Sequence, residues 1–164
     1  MTQNKTDIIA TISASQPRRW LGVLSMVGLG LLLIYVALAK PPALGWLVFL
    51  LMLGAGSLWL GVRMWDATSR VIELTEDELR DNSGAVIARI ADIEQIDRGF
   101  FAFKPSNGFL IRTCSAAGKS TWQPGLWWRS GRRIGIGGVT PGSQSKFVAE
   151  YLQTMIAMRD IEES

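Results

Sequence analysis

Residues Trp20–Ala39, WLGVLSMVGLGLLLIYVALA, are followed after Lys40-Pro41-Pro42 by Ala43–Val62, ALGWLVFLLMLGAGSLWLGV, and neither stretch carries a charge. Each is 20 residues long, so as a helix rising about 1.5 Å per residue it spans roughly 30 Å, the hydrocarbon thickness of a bilayer. With so short a turn the two spans form a tight transmembrane hairpin, and both chain ends fall on the same side. The rest of the chain is too small to wrap two such stretches as buried core helices. Arg18 and Arg19 precede the first span, Arg63 and Arg70 follow the second, and the turn holds only Lys40. The positive-inside rule then predicts cytoplasmic N- and C-termini. Trp20, Tyr35, Trp46, Trp59 and Trp65 lie near the span ends, where amphipathic rings favour the interface.

Glycines at 22, 28 and 30 and at 54, 56 and 61, with Ser57, permit close helix approach, either to each other or to an outside partner. A competing reading makes the first span a signal peptide cleaved after Ala37-Leu38-Ala39. Its apolar stretch exceeds the usual h-region of about 7–15 residues and starts late, and cleavage would still leave the C-terminal part in the cytoplasm.

The composition fits this picture and removes several functions. Of 164 residues 48% are hydrophobic and only 19% charged, with seven tryptophans, one cysteine and no histidine. The commonest general base and metal ligand is therefore missing. A lone Cys114 excludes an internal disulfide, a CxxC pair and a Cys-based metal site, and it reads as a small packed side chain.

Three units follow: an N-terminal segment 1–19, the hairpin 20–63, and a domain 64–164. Within the domain, Val71–Thr75 reads as a strand, Leu79-Arg80 opens a second, and Asp81-Asn82-Ser83-Gly84 turns the chain into a third at 85–89. Ile90, Ile93 and Ile96 mark a buried edge. Strands at 100–103 and 109–113 flank the hairpin loop Lys104–Gly108, and Trp122 and 133–136 supply further short strands. Thr140 predicts an N-cap and Pro141 the first position of a helix with an apolar stripe at Phe147, Tyr151, Met155 and Met158.

Two apolar spans, then ELTEDELRDNSGAVIARIADIEQI, then hairpins and a closing helix resemble the bacterial PH-like-domain membrane proteins. The tail with FAFKPSNGF and WQPGLWWRSGRRIGIGGVTPGSQSKF is similar to uncharacterised alphaproteobacterial inner-membrane proteins. The resemblance implies a membrane α-helical hairpin followed by a small α+β PH-like β-roll with an amphipathic C-terminal helix, held at the bacterial inner membrane. It implies no reaction, and a fold of this kind does not choose its ligand. Phosphoinositide-binding PH domains carry basic residues in the loop between their first two strands. The corresponding loop here, Glu76-Asp77-Glu78, is acidic, which argues against that pocket.

Charge is segmented along the domain. Residues 64–97 hold three arginines against nine acids, residues 98–149 hold eight bases and no acid, and 150–164 hold four acids against one base. The densest basic part is Trp127-Trp128-Arg129-Ser130-Gly131-Arg132-Arg133. The expected interaction surface is Phe100, Phe101, Phe103 and Lys104 with Trp127, Trp128, Arg129, Arg132 and Arg133. Three readings of it stay open: a face on anionic lipid headgroups, a face for a membrane-protein partner or second copy, or one Trp in the core with the arginines paired to the acidic half. Nucleic acid is not expected, because the domain as a whole is slightly acidic.

Enzyme signals are weak. Ala117-Gly118-Lys119-Ser120 ends like a P-loop, but Thr113 stands where the motif needs glycine. Gly135, Gly137 and Gly138 suit a tight crossing or bulge better than a nucleotide loop. The Ser–Lys neighbours at 119/120 and at 143, 145 and 146, and the carboxylates at 76, 77, 78 and 81, read as solvated turns. The expectation is a non-enzymatic membrane-anchored interaction module without cofactor or metal, an accessory or assembly subunit of a membrane complex. The alternatives are an anionic-lipid surface sensor and a membrane-bound enzyme of unknown type.

Overall fold

The computed structural model describes residues 8–99, 105–116 and 118–162. Strand β1 (Ala10–Ser13) leads into helix α1 (Gln16–Ala39), and α2 (Leu44–Thr68) returns the chain to β2 (Val71–Leu74). Strands β3 (Glu78–Asp81) and β4 (Val86–Arg89) complete an antiparallel sheet of order β1-β2-β3-β4. A 3₁₀ turn at Ile90–Asp92 passes to β5 (Ile93–Asp97), followed by β6 (Phe109–Thr113), β7 (Thr121–Gln123), β8 (Trp127–Ser130) and β9 (Arg133–Ile136). These five form a second antiparallel sheet of order β5-β6-β9-β8-β7. Helix α3 (Gly142–Glu162) closes the domain.

Both helices are long and apolar enough to cross a membrane, and only 17% of the most apolar window of each is buried. A core helix of a soluble domain would be largely covered; these present leucines, tryptophans and valines outward. They pack against each other through small residues. A Cβ on Gly30 would lie 2.9 Å from the Gly54 carbonyl oxygen, and one on Gly54 would lie 3.0 Å from the Gly30 oxygen. Ser57 Oγ donates to the Met26 carbonyl at 2.8 Å, and Gly61 sits against Val27. Residues 54, 57 and 61 are spaced by three and four, so they form one face. Gly28 and Gly56 meet nothing within 4 Å. The glycines thus divide into a set that seats the hairpin and a set that points away from it.

The N-terminal segment, which the sequence sets apart from the domain, contributes its edge strand. Ala10, Thr11, Ile12 and Ser13 pair antiparallel with Leu74, Glu73, Ile72 and Val71, and Ile12 is fully buried. The helical hairpin is therefore inserted between two neighbouring strands of one sheet, and both of its ends enter the same domain.

The inner faces of the sheets enclose one core, with Ile12, Ile72, Leu74, Leu79, Ile87, Ile111, Leu126, Trp127 and Ile134 among its members. Helix α3 covers it through Val148, Ala149 and Leu152, with Tyr151, Met155 and Ile156 at the margin. The expected stripe is corrected here: Phe147 and Met158 are exposed, because the buried face is centred one residue further round the helix. Thr140 is buried with its hydroxyl 3.3 Å from that of Ser145. The expected strand 100–103 lies outside the described residues; β6 is flanked by β5 and β9.

Replacing Gly54 with leucine forces the helices apart at backbone contact distance. Gly54→Leu is expected to destabilise the full chain in detergent by about 1–3 kcal/mol, read as a lower thermal midpoint. Gly56→Leu, at a position facing open space, should leave that midpoint nearly unchanged.

Candidate interaction surface

The hairpin enters the domain through a collar of backbone contacts. Ser15, the residue before α1, donates its N–H to the Val139 carbonyl at 2.8 Å, and Arg18 reaches the Thr140 carbonyl at 2.9 Å. Arg19 lies over the Trp65 ring at 3.9 Å and donates to the Trp65 carbonyl at 3.0 Å, while Trp20 meets Trp65 edge-on. Two of the four arginines behind the charge bias, Arg18 and Arg19, thus also bolt α1 to the domain and to α2.

Glycines make room for this collar. Gly137 and Gly138 have φ of 135° and 130°, a region L side chains rarely adopt. They thread the chain between two turns: Gly137 N–H donates to Leu126, Gly138 N–H to Ser106, and Val139 N–H to Gly125. A Cβ on Gly138 would lie 2.6 Å from the Gly125 oxygen. On the far side of that turn a Cβ on Gly125 would lie 3.2 Å from Thr68 Cγ2 and 3.3 Å from Met64 Cε. The β7–β8 turn therefore rests on the end of α2.

Sheet alternation decides where the aromatic and basic residues of this region go. Trp127 opposes Ile136, points inward and is 3% exposed. Trp128 opposes Gly135 on one side and Trp122 on the other, so these three share the outer face. The Trp128 indole lies across Gly135, where any Cβ would collide with it. Trp122 is 51% exposed. Leu110, paired with Gly135, continues the row on β6. An open depression of about 340 Å³ bordered by Trp122, Trp128 and Pro105 lies beside the β7–β8 turn.

The expected surface is thus only partly assembled. Trp127 belongs to the core, a correction that follows from its place on the inner side of β8. Arg129 is half-buried and donates to the carbonyls of Lys119, Val86 and Ile87, joining β8 to the other sheet. Arg132 donates to the Thr113 carbonyl and pairs with Glu94 at 2.7 Å. Arg133 is exposed and stands directly opposite Arg112. Phe100, Phe101, Phe103 and Lys104 lie outside the described residues. Sequence reasoning left Trp122 and Arg112 out of the surface; strand register alone brings them to this face.

Below the hairpin, Asp81 ties the end of α2 to the β3–β4 turn. It is 1% exposed, pairs with Arg70 at 2.9 Å, and accepts from the Ser83 hydroxyl and the N–H groups of Ser83 and Ala85. Burial pushes its carboxyl up, but these donors together outweigh it and hold Asp81 below its ordinary value of 3.8. Among the described residues no group of three or more His, Cys, Asp or Glu side chains is placed to hold a metal ion.

These features define a class of architecture, a two-sheet β domain interrupted by an apolar helical hairpin. The chain matches no family model, no curated protein and no solved structure.

Two outcomes follow for stability. Trp127→Ala opens the core and should cost about 3–5 kcal/mol, whereas Trp122→Ala should stay within about 0.5 kcal/mol; thermal melts of the two variants check the difference. Asp81 has a folded pKa below its unfolded one, so its contribution is fully present above pH 3.8 and is lost as pH falls through the folded value. Asp81→Asn should cost about 1–3 kcal/mol near neutral pH, and its deficit should shrink as denaturation is followed below 3.8.

Proposed function

We propose that the chain is a non-enzymatic protein of the bacterial inner membrane, in which α1 and α2 span the bilayer and hold a PH-like roll against the cytoplasmic surface. It serves there as an interaction module, an accessory or assembly subunit of a membrane protein complex. One observation carries this reading: the hairpin is inserted between paired strands β1 and β2. A domain on a single flexible tether samples many orientations. One joined to both ends of a helix pair, with Arg18, Arg19 and Gly125 packed at the junction, presents one fixed set of surfaces to its neighbours in the membrane plane.

The charge bias of Arg18, Arg19, Arg63 and Arg70 against Lys40 supports the cytoplasmic side. A PH-like roll is supported by the 4 + 5 arrangement of antiparallel strands closed by a C-terminal helix. On that reading, with β1 as the first strand, the connection between the first two strands is the helical hairpin itself. The acidic loop Glu76-Asp77-Glu78 then joins the second and third strands. The position that carries a basic headgroup-binding loop in phosphoinositide-binding PH domains is occupied here by a membrane anchor. The absence of histidine favours binding over catalysis.

Reporter fusions test the topology: fluorescent or phosphatase reporters placed before Met1 and after Ser164 should both report the cytoplasm, and periplasmic activity at either end would overturn it. Purification of the full chain in mild detergent tests the role. A stoichiometric membrane-protein partner or a defined homo-oligomer is expected. A monomer carrying a bound nucleotide or metal would overturn the reading in favour of an enzyme.

A further inference from the structure

The outer face of the five-stranded sheet carries two adjacent rows of side chains. Trp122, Trp128 and Leu110, with Gly135 between the last two, form the first, in which Trp122 is exposed, Trp128 half-buried and Leu110 buried. One pleat further along the strands, about 7 Å away, Arg133 of β9 stands directly opposite Arg112 of β6. Both are exposed, and among the described residues neither makes an ion pair; the nearby Glu94 is held by Arg132. Like charges directly opposite on neighbouring strands repel, so this pair is built at a cost that an external anion would remove.

The position of the first row relative to the hairpin indicates what that anion is. Trp122 and Trp128 flank the β7–β8 turn, which rests on Met64 and Thr68 of α2 through Gly125. Met64 and Thr68 follow the last residue of the apolar stretch, Val62, by two and six residues, so the contact sits about 3–9 Å beyond its end. That is the level of the polar headgroup layer, which adds about 5–8 Å to each side of the hydrocarbon core. The exposed indole of Trp122, with the half-buried Trp128 beside it, suits this layer. The arginine pair, one pleat further out, remains within a Debye length of about 8–10 Å of the phosphates.

We propose that this face lies against the headgroup layer of the bilayer that the hairpin spans, with Trp122 and Trp128 at the interface and Arg112 and Arg133 on anionic lipid phosphates. The proposal rests on reading α1 and α2 as a spanning hairpin. It fixes which side of the domain is turned to lipid, leaving the four-stranded sheet's outer face and α3 for protein partners.

The test uses the full chain with Cys114→Ser and one new cysteine carrying an environment-sensitive fluorophore, reconstituted into vesicles whose lipids are brominated close to the glycerol for positions 122 and 76, and near the acyl-chain ends for position 52 in the middle of the span. The cysteine is placed by Trp122→Cys, by Met52→Cys on the outward side of α2, or by Glu76→Cys in the turn at the end of β2 away from α2. Emission should be quenched at 52 and 122 but not at 76. Replacing part of the phosphatidylcholine by phosphatidylglycerol should deepen quenching at 122, and Arg112→Glu with Arg133→Glu should abolish that gain. Quenching at 52 with none at 122 would overturn the docking while leaving the spanning hairpin standing. No quenching at 52 would overturn both. Quenching at 122 that ignores lipid charge and the double reversal would overturn the assignment of the arginines to phosphate.

Discussion

The pairing of Ala10–Ser13 with Val71–Leu74 is the constraint on which the rest depends. Fifty-seven residues separate Ser13 from Val71, and closing so long a disordered loop would carry an entropic penalty before the first ladder bond formed. Here the intervening chain is two antiparallel helices in close contact, so their packing brings the ends of β1 and β2 together in advance. The coupling runs both ways. Gly30 and Gly54, by letting the helices approach, help set the distance between the strands; the strands, once paired, stop the helix ends from splaying.

This mutual support explains why so many polar groups converge on the junction. The ends of α1 and α2 offer unpaired backbone groups just beyond the two apolar stretches. Ser15 N–H finds the Val139 carbonyl, and the guanidiniums of Arg18 and Arg19 take up the carbonyls of Thr140 and Trp65. Arg70, just past α2, is held by Asp81, which also organises the β3–β4 turn through Ser83 and Ala85. Hairpin, collar and first sheet are thereby mechanically continuous, and a rotation of the helices would be transmitted to β2 and β3.

What was legible in the sequence was whatever carries a strong one-dimensional period. The two uncharged stretches, the strands β2 to β4 with their Asp-Asn-Ser-Gly turn, the Ile90/93/96 edge and the final helix all announce themselves within a dozen residues. The missed elements depend on distant partners. Strand β1 is only Ala-Thr-Ile-Ser, and its one buried side chain, Ile12, gains meaning from a partner beyond the hairpin. Strand β8 reads as a basic aromatic surface run because Trp-Trp-Arg-Ser shows no alternation of polarity; its register against Ile136 and Gly135 is what sends Trp127 inward and Trp128 outward. The face of α3 was displaced by one residue because Phe147 and Met158 are more apolar than the small residues Ala149 and Ser145 that face the core.

The segmented charge follows the same logic of position over composition. Of the eight bases in residues 98–149, Arg129 is absorbed by main-chain carbonyls of the opposite sheet, Arg132 by Glu94 and Thr113, and Arg98 by Glu150. These interactions stitch part of the basic half to its acidic neighbours and to the opposite sheet, so part of the charge contrast visible along the chain is absorbed by the fold. A pair that escapes this neutralisation, Arg112 and Arg133, is the pair that strand register sets face to face, and it lies on the same side of the sheet as the exposed Trp122. Two exposed arginines set face to face on neighbouring strands repel, which is difficult to explain by stability alone. Their repulsion marks the outer face of the five-stranded sheet as the place where the domain's electrostatics are completed from outside.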